Sequence, residues 1–153
     1  MNVLVGVTGG IAAYKSAHLV REFIKRDDDV RVVMTESAEE FITPMTLQAL
    51  SENPVGSDLF DAGYESEIGH IDLARWADVV VVAPATADFI ARAAAGMADD
   101  LLTTVLLATR APVVVAPAMN TQMWYHPSVT RNIETLESEY GWRVIQPDSG
   151  ELA

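Results

Sequence analysis

No cysteine occurs among the 153 residues. Disulfides, thiolate metal sites and a cysteine nucleophile from this stretch of chain are thereby excluded. Basic residues are scarce: two lysines and eight arginines stand against 22 acidic residues, a formal net charge of −12. Such a surface repels a nucleic-acid backbone, so no nucleic-acid partner is expected, and the same acidity would suit a high-salt cytoplasm. Long apolar runs are missing as well. Nothing approaches the roughly 20 uninterrupted apolar residues of a membrane span, and the opening MNVLVGVTGG has neither the basic flank nor the cleavage site of a secretory leader. A cytoplasmic protein without a membrane partner is the expectation. The three histidines have no second His or Cys at ligand spacing, so no metal is expected.

What is present is apolar: half of the residues, enough for the core of one compact domain over residues 1–153. NVLVGV reads as a buried strand, TGG as a turn, and IAAYKSAHLVREFIKR as a helix with apolar positions at helical spacing. DVRVVMT is a second strand, followed by a helix start in which Ser37 and Glu40 have capping-box spacing, and TPMTLQALSE is a further helix. NPVGSDLFDAGYESEIG is rich in turn formers and is expected to be an irregular surface excursion. DVVVVAPA and APVVVAPA are continuous β-branched runs, the pattern of parallel strands covered on both faces. Helices broken near Gly96 separate them, and HPSVTRNIETLESEYG is a helix before a last strand, WRVIQP. The alternation predicts an α/β fold, a doubly wound, mostly parallel sheet of five or six strands in three layers, Rossmann-like.

Such a sheet binds ligands beyond the carboxyl ends of its strands, where TGG, APATAD and APAMNTQMW all fall. Gly9 and Gly10 stand where a strand turns into a helix, which suits either a phosphate or simply a tight turn. The motif is no Walker A loop, since Tyr14 precedes Lys15 and Ser16, and the glycine spacing fails G-x-G-x-x-G. A mononucleotide phosphate fits it better than a dinucleotide. Ser37 could add a hydroxyl to that phosphate or cap a helix, and Glu36 sits where a nicotinamide enzyme grips a ribose. Thr86 and Asp88 could cap a helix, bond a polar ring edge, or both. Met119, Asn120, Met123 and Trp124 form a cluster that asks for a flat or apolar partner and offers one amide to orient it. His18 reads as structural and His126 as a surface or capping residue. His70 follows the excursion at a position able to overhang the crevice.

TGGIAAYK, GHIDLARWADVVVVAPATADFIARAAAGMADDLL and PAMNTQMW closely resemble the flavin-dependent cysteine decarboxylase family. Within it they are most similar to the members that decarboxylate 4′-phosphopantothenoylcysteine to 4′-phosphopantetheine in coenzyme A biosynthesis. The resemblance implies FMN, with phosphate at Gly9, Gly10, Ile11 and Ser37, and with Thr86, Ala87, Asp88, Phe89 and Ala118 bordering the flavin. It implies His70 and Asn120 as catalytic residues, Asn120 holding the substrate carboxylate within an apolar wall of Met119, Met123 and Trp124. The implied reaction oxidises the cysteine thiol to a thioaldehyde, releases CO₂ with the charge delocalised into sulfur, and reduces the enethiol. Family members assemble as trimers or dodecamers, so a homo-oligomer is expected. Members carry a flap cysteine soon after PDSG, and in many a synthetase domain follows; here the sequence reads PDSGELA, so both are expected to be absent from this chain. Other implied readings are a flavin prenyltransferase, disfavoured by PAMNTQMW, and a non-catalytic flavin-binding regulatory subunit.

Overall fold

The computed structural model describes residues 1–63 and 69–147. In β1 (Asn2–Val7), Val3, Val5 and Val7 join one core cluster and Leu4 joins another. In β2 (Asp29–Met34), Val30, Val32 and Met34 join the first cluster and Val33 the second. This is the period of two that a strand imposes, with apolar side chains sent to both faces. Helices α1 (Tyr14–Ile24) and α2 (Pro44–Ser51) cover the first face, burying Val20 and Leu47. The other face packs against α3 (His70–Trp76), α4 (Ala87–Ala94) and α5 (Leu101–Ala108), which bury Leu73, Ile90 and Leu102. Each such buried aliphatic side chain contributes about 1.5–3 kcal/mol of transfer free energy.

The remaining strands are β3 (Val55–Gly56), β4 (Val79–Ala85), β5 (Val113–Pro117) and β6 (Arg143–Val144). They complete a six-stranded sheet of order β3-β2-β1-β4-β5-β6 whose pairings are all parallel. The expected doubly wound fold is therefore present, with its order reversing between β1 and β4. At that seam the chains approach closely: a Cβ on Gly6 would stand 2.7 Å from the Leu102 side chain. Two short helices, α6 (Thr121–Trp124) and α7 (Pro127–Glu134), follow β5, and a π-helical turn, Thr135–Glu139, extends α7.

Differences from the sequence reading lie at the sheet edges and one cap. The excursion contains β3, because Val55 and Gly56 pair with Val32 and Val33. The last strand is shorter than WRVIQP, because only Arg143 and Val144 find partners on β5. After β2 the chain forms a 3-10 turn, Glu36–Glu40, capped by Thr35, whose hydroxyl accepts from the Ala38 N–H at 3.3 Å. Ser37 is therefore not the cap. The turn starts two residues earlier than the Ser37/Glu40 spacing suggests, which frees the Ser37 hydroxyl from the capping role.

Candidate functional site

Thr8, directly after β1, is buried, and its hydroxyl donates to the Pro84 carbonyl at 2.7 Å while accepting from the Thr86 N–H at 3.0 Å. One short side chain thus ties together the carboxyl ends of β1 and β4. Ser16 on α1 donates to the Ala83 carbonyl at 2.8 Å, and the Ala118 N–H donates to the Ala85 carbonyl at 3.0 Å, which brings in the end of β5. Thr86 caps α4 by accepting from the Phe89 N–H at 3.1 Å. Three loops are fixed to one another before any ligand arrives.

Above them lies an open cavity of about 630 Å³, within the size range of small-molecule and cofactor sites. Of the expected cofactor residues, Ser37, Thr86, Asp88 and Phe89 line it. Gly9 approaches Ser37 so closely that a Cβ would collide with its side chain and come within 2.7 Å of its carbonyl carbon. At Gly10 there is more room: a Cβ would touch only Thr86 Cγ2, at 3.4 Å. The Gly10 N–H is spent on the Thr8 carbonyl at 3.0 Å, so it is not among the donors left for a ligand. Ile11 stands out into solvent, 68% exposed.

The cavity also holds residues to which sequence reading assigned no role there: Thr8, Thr35, Arg92, and Ser57 to Phe60 from the excursion. Arg92 donates from Nε to Asp88 at 3.0 Å and from an NH group to Asp99 at 2.6 Å. Hydrogen bonds to Asp99 first and Asp88 second push its pKa above the ordinary guanidinium value. The Asp88/Arg92 spacing of four was a legible signal for the first of these pairs. The second bridges the Gly96 turn, whose φ of +70° suits glycine, and no local pattern announces it.

His70, the first residue of α3, lines a second hollow of about 460 Å³ with Ala62, Ala98 and Thr104. Leu59 and Phe60 border both spaces, so the excursion divides them. Asn120, Met119, Met123 and Trp124 line neither. Met119 and Trp124 are half-buried against the core, Met123 is exposed, and Asn120 caps α6 by accepting from the Gln122 N–H at 2.8 Å. His126 caps α7, in keeping with the capping role weighed for it, and His18 is exposed on α1. The expected flap region after PDSG and the YESE stretch fall largely outside the described residues. Among the described residues, no group of three or more His, Asp or Glu is placed to hold a metal ion, and no helix is long and apolar enough to cross a membrane.

The glycine turn packed against Ser37 and the hydroxyls of Thr35, Ser37 and Thr86 fit a phosphate-bearing nucleotide in shape and donor chemistry. A parallel sheet with such a cavity at its switch point defines a nucleotide-binding α/β protein. Residues 1–153 match the family described as Flavoprotein, and the chain belongs to that family. Among curated relatives, the chain is 54% identical over 151 residues to the coenzyme A biosynthesis bifunctional protein CoaBC of Vibrio cholerae. That match covers 99% of this chain and 38% of the relative. The chain therefore spans well under half the length of the curated relatives it matches. Among solved structures, the FMN-dependent cysteine decarboxylase SpaF superposes with a TM-score of 0.88 at 36% identity, covering 98% of this chain and 86% of that one. A PPC decarboxylase mutant complexed with pantothenoylaminoethenethiol gives 0.83 at 34%, covering 99% and 85%.

Proposed function

We propose that the chain is the FMN-binding decarboxylase domain of coenzyme A biosynthesis, converting 4′-phosphopantothenoylcysteine to 4′-phosphopantetheine. The observation that carries this reading is the hydroxyl-lined cavity at the β1/β4 switch point. The likeness to CoaBC and to the PPC decarboxylase supports the substrate. FMN, when bound, supplies a two-electron acceptor for the substrate thiol and returns the electrons after CO₂ has left. In this reading Gly9, Gly10, Ile11 and Ser37 surround its phosphate end, the glycines by their lack of a side chain and Ser37 by its hydroxyl, while Thr86 to Phe89 and Ala118 border its ring.

The chain's own groups bind and orient. Asn120 uses Oδ1 to cap α6, which leaves its amide N–H groups as donors to the substrate carboxylate without a proton to give it. His70 assists deprotonation of the thiol or holds the substrate beside the flavin. Met119, Met123 and Trp124 form the apolar wall. Neither of the two hollows holds both His70 and Asn120, and the reading includes a homo-oligomer, a trimer or a dodecamer, in which a second copy closes the site. Exposed Ile11, Phe41, Met45 and Phe60 support that closure.

Anaerobic mixing with 4′-phosphopantothenoylcysteine should bleach the flavin's visible band in the parent protein. His70→Asn and Asn120→Asp should retain FMN and fail to bleach. Asp preserves the α6 cap but sets like charge against the carboxylate, worth on the order of several kcal/mol at close range in a partly dehydrated site. Bleaching at the parent rate in both variants would remove these two roles.

A further inference from the structure

The cavity proposed for FMN is lined by more acidic than basic residues. Its lining residues include Glu36, Glu39, Asp58, Asp88, Asp99 and Asp100, and Arg92 is the one cation among the described lining residues. Glu36 and Glu39 flank Ser37 within the same 3-10 turn, the place assigned to the phosphate. Arg92 is already engaged by Asp88 and Asp99, so its single positive charge is outweighed by the two carboxylates it pairs with and none is left for a ligand. Among the described residues no metal-holding cluster neutralises the remainder. The chain as a whole adds its net charge of −12 to the same potential.

We infer that Arg92 is the charge-balancing residue of this cavity, and that the cavity binds a phosphate-bearing flavin more tightly as salt concentration rises. The inference rests on the flavin reading above and adds the regulation of that site. Phosphate sites built from lysine and arginine lose affinity in salt, because ions screen an attraction; here they screen a repulsion, so the sign reverses. The screening length falls from about 10 Å at 0.1 M to about 3 Å at 1 M, a span that covers a cavity of this size. Arg92 acts through Asp88 and Asp99: by holding both carboxylates it lowers the field at the phosphate and fixes the rim formed by the 96–100 turn.

Riboflavin has the same ring system as FMN without the phosphate, so the ratio of the two affinities isolates the charge contribution from salt effects on apolar binding. Titrations of the flavin-free protein, followed by fluorescence quenching, should show the FMN-to-riboflavin affinity ratio rising roughly tenfold between about 0.1 M and 2 M NaCl. Arg92→Gln should depress FMN binding at low salt by about tenfold, leave riboflavin nearly unchanged, and converge on the parent at high salt; Arg92→Lys should restore most of the loss. A ratio that is flat or falls with salt in the parent chain overturns the inference with no variant needed. So does an Arg92→Gln defect that is equal for both flavins and insensitive to salt, the signature of a purely structural role. If neither flavin binds at any salt concentration, the flavin reading itself fails and the inference falls with it.

Discussion

At Gly9 and Gly10 two adjacent glycines meet different surroundings. A methyl at Gly9 runs into the Ser37 main chain, which cannot retreat without moving the end of β2, whereas Gly10 has ordinary contact distance to a single threonine methyl. Gly9→Ala should therefore cost about 1–3 kcal/mol of folding stability in urea denaturation. Gly10→Asp should leave the melting temperature close to that of the parent yet yield a colourless protein, because it places another carboxylate at the cradle. Stoichiometric FMN in a folded Gly10→Asp variant would remove the phosphate from this turn. Thr8 was part of the TGG stretch, but its importance could not be read there: a threonine after a strand is unremarkable until its hydroxyl is seen between Pro84 and Thr86.

Among the elements, α5 illustrates a conflict between folding and binding. Asp100 caps it, accepting from the Thr103 N–H at 2.8 Å in a capping box, and also lines the acidic cavity. Asp100→Ala should lower stability by about 1 kcal/mol, while Asp100→Ser should keep most of the cap and remove the charge. Chemical denaturation of the pair separates the two contributions: equal stabilities would show that the cap contributes nothing. Most elements were legible from local pattern, because a buried parallel strand needs consecutive β-branched residues and a covering helix needs apolar residues at helical spacing. The two-residue strand β3 was not, and β6 was read as longer than it is, since the extent of such an edge strand is set by the neighbour it pairs with. The Ser37 cap was misplaced for a related reason: Thr35 competes for the same role and geometry alone decides between them.

For the molecule as a whole, one copy leaves Ile11, Tyr14, Phe41, Met45 and Phe60 substantially exposed, on a chain otherwise dominated by acidic groups. Self-association would bury these groups, and screening of the net charge should favour it. Light scattering in high salt should give a multiple of the 16.6 kDa chain mass, and a monomer that still binds FMN would contradict the proposed assembly.

The sequence by itself determined the alternation of strands and helices, the doubly wound class, and the placement of TGG, APATAD and PAMNTQMW at the carboxyl ends of strands. Each of these follows from short-range periodicity and the chirality of parallel crossovers. Only the tertiary structure decided which residues share a space. It seats Ser37, Thr86, Asp88 and Phe89 around one cavity, adds Thr8 and the Asp88–Arg92–Asp99 clamp, and puts His70 in a second hollow and Asn120 at the cap of α6. The Asp88–Arg92–Asp99 clamp aside, these bring together residues tens of positions apart, set by how the sheet twists and how its loops lean, and no local window of sequence contains that information.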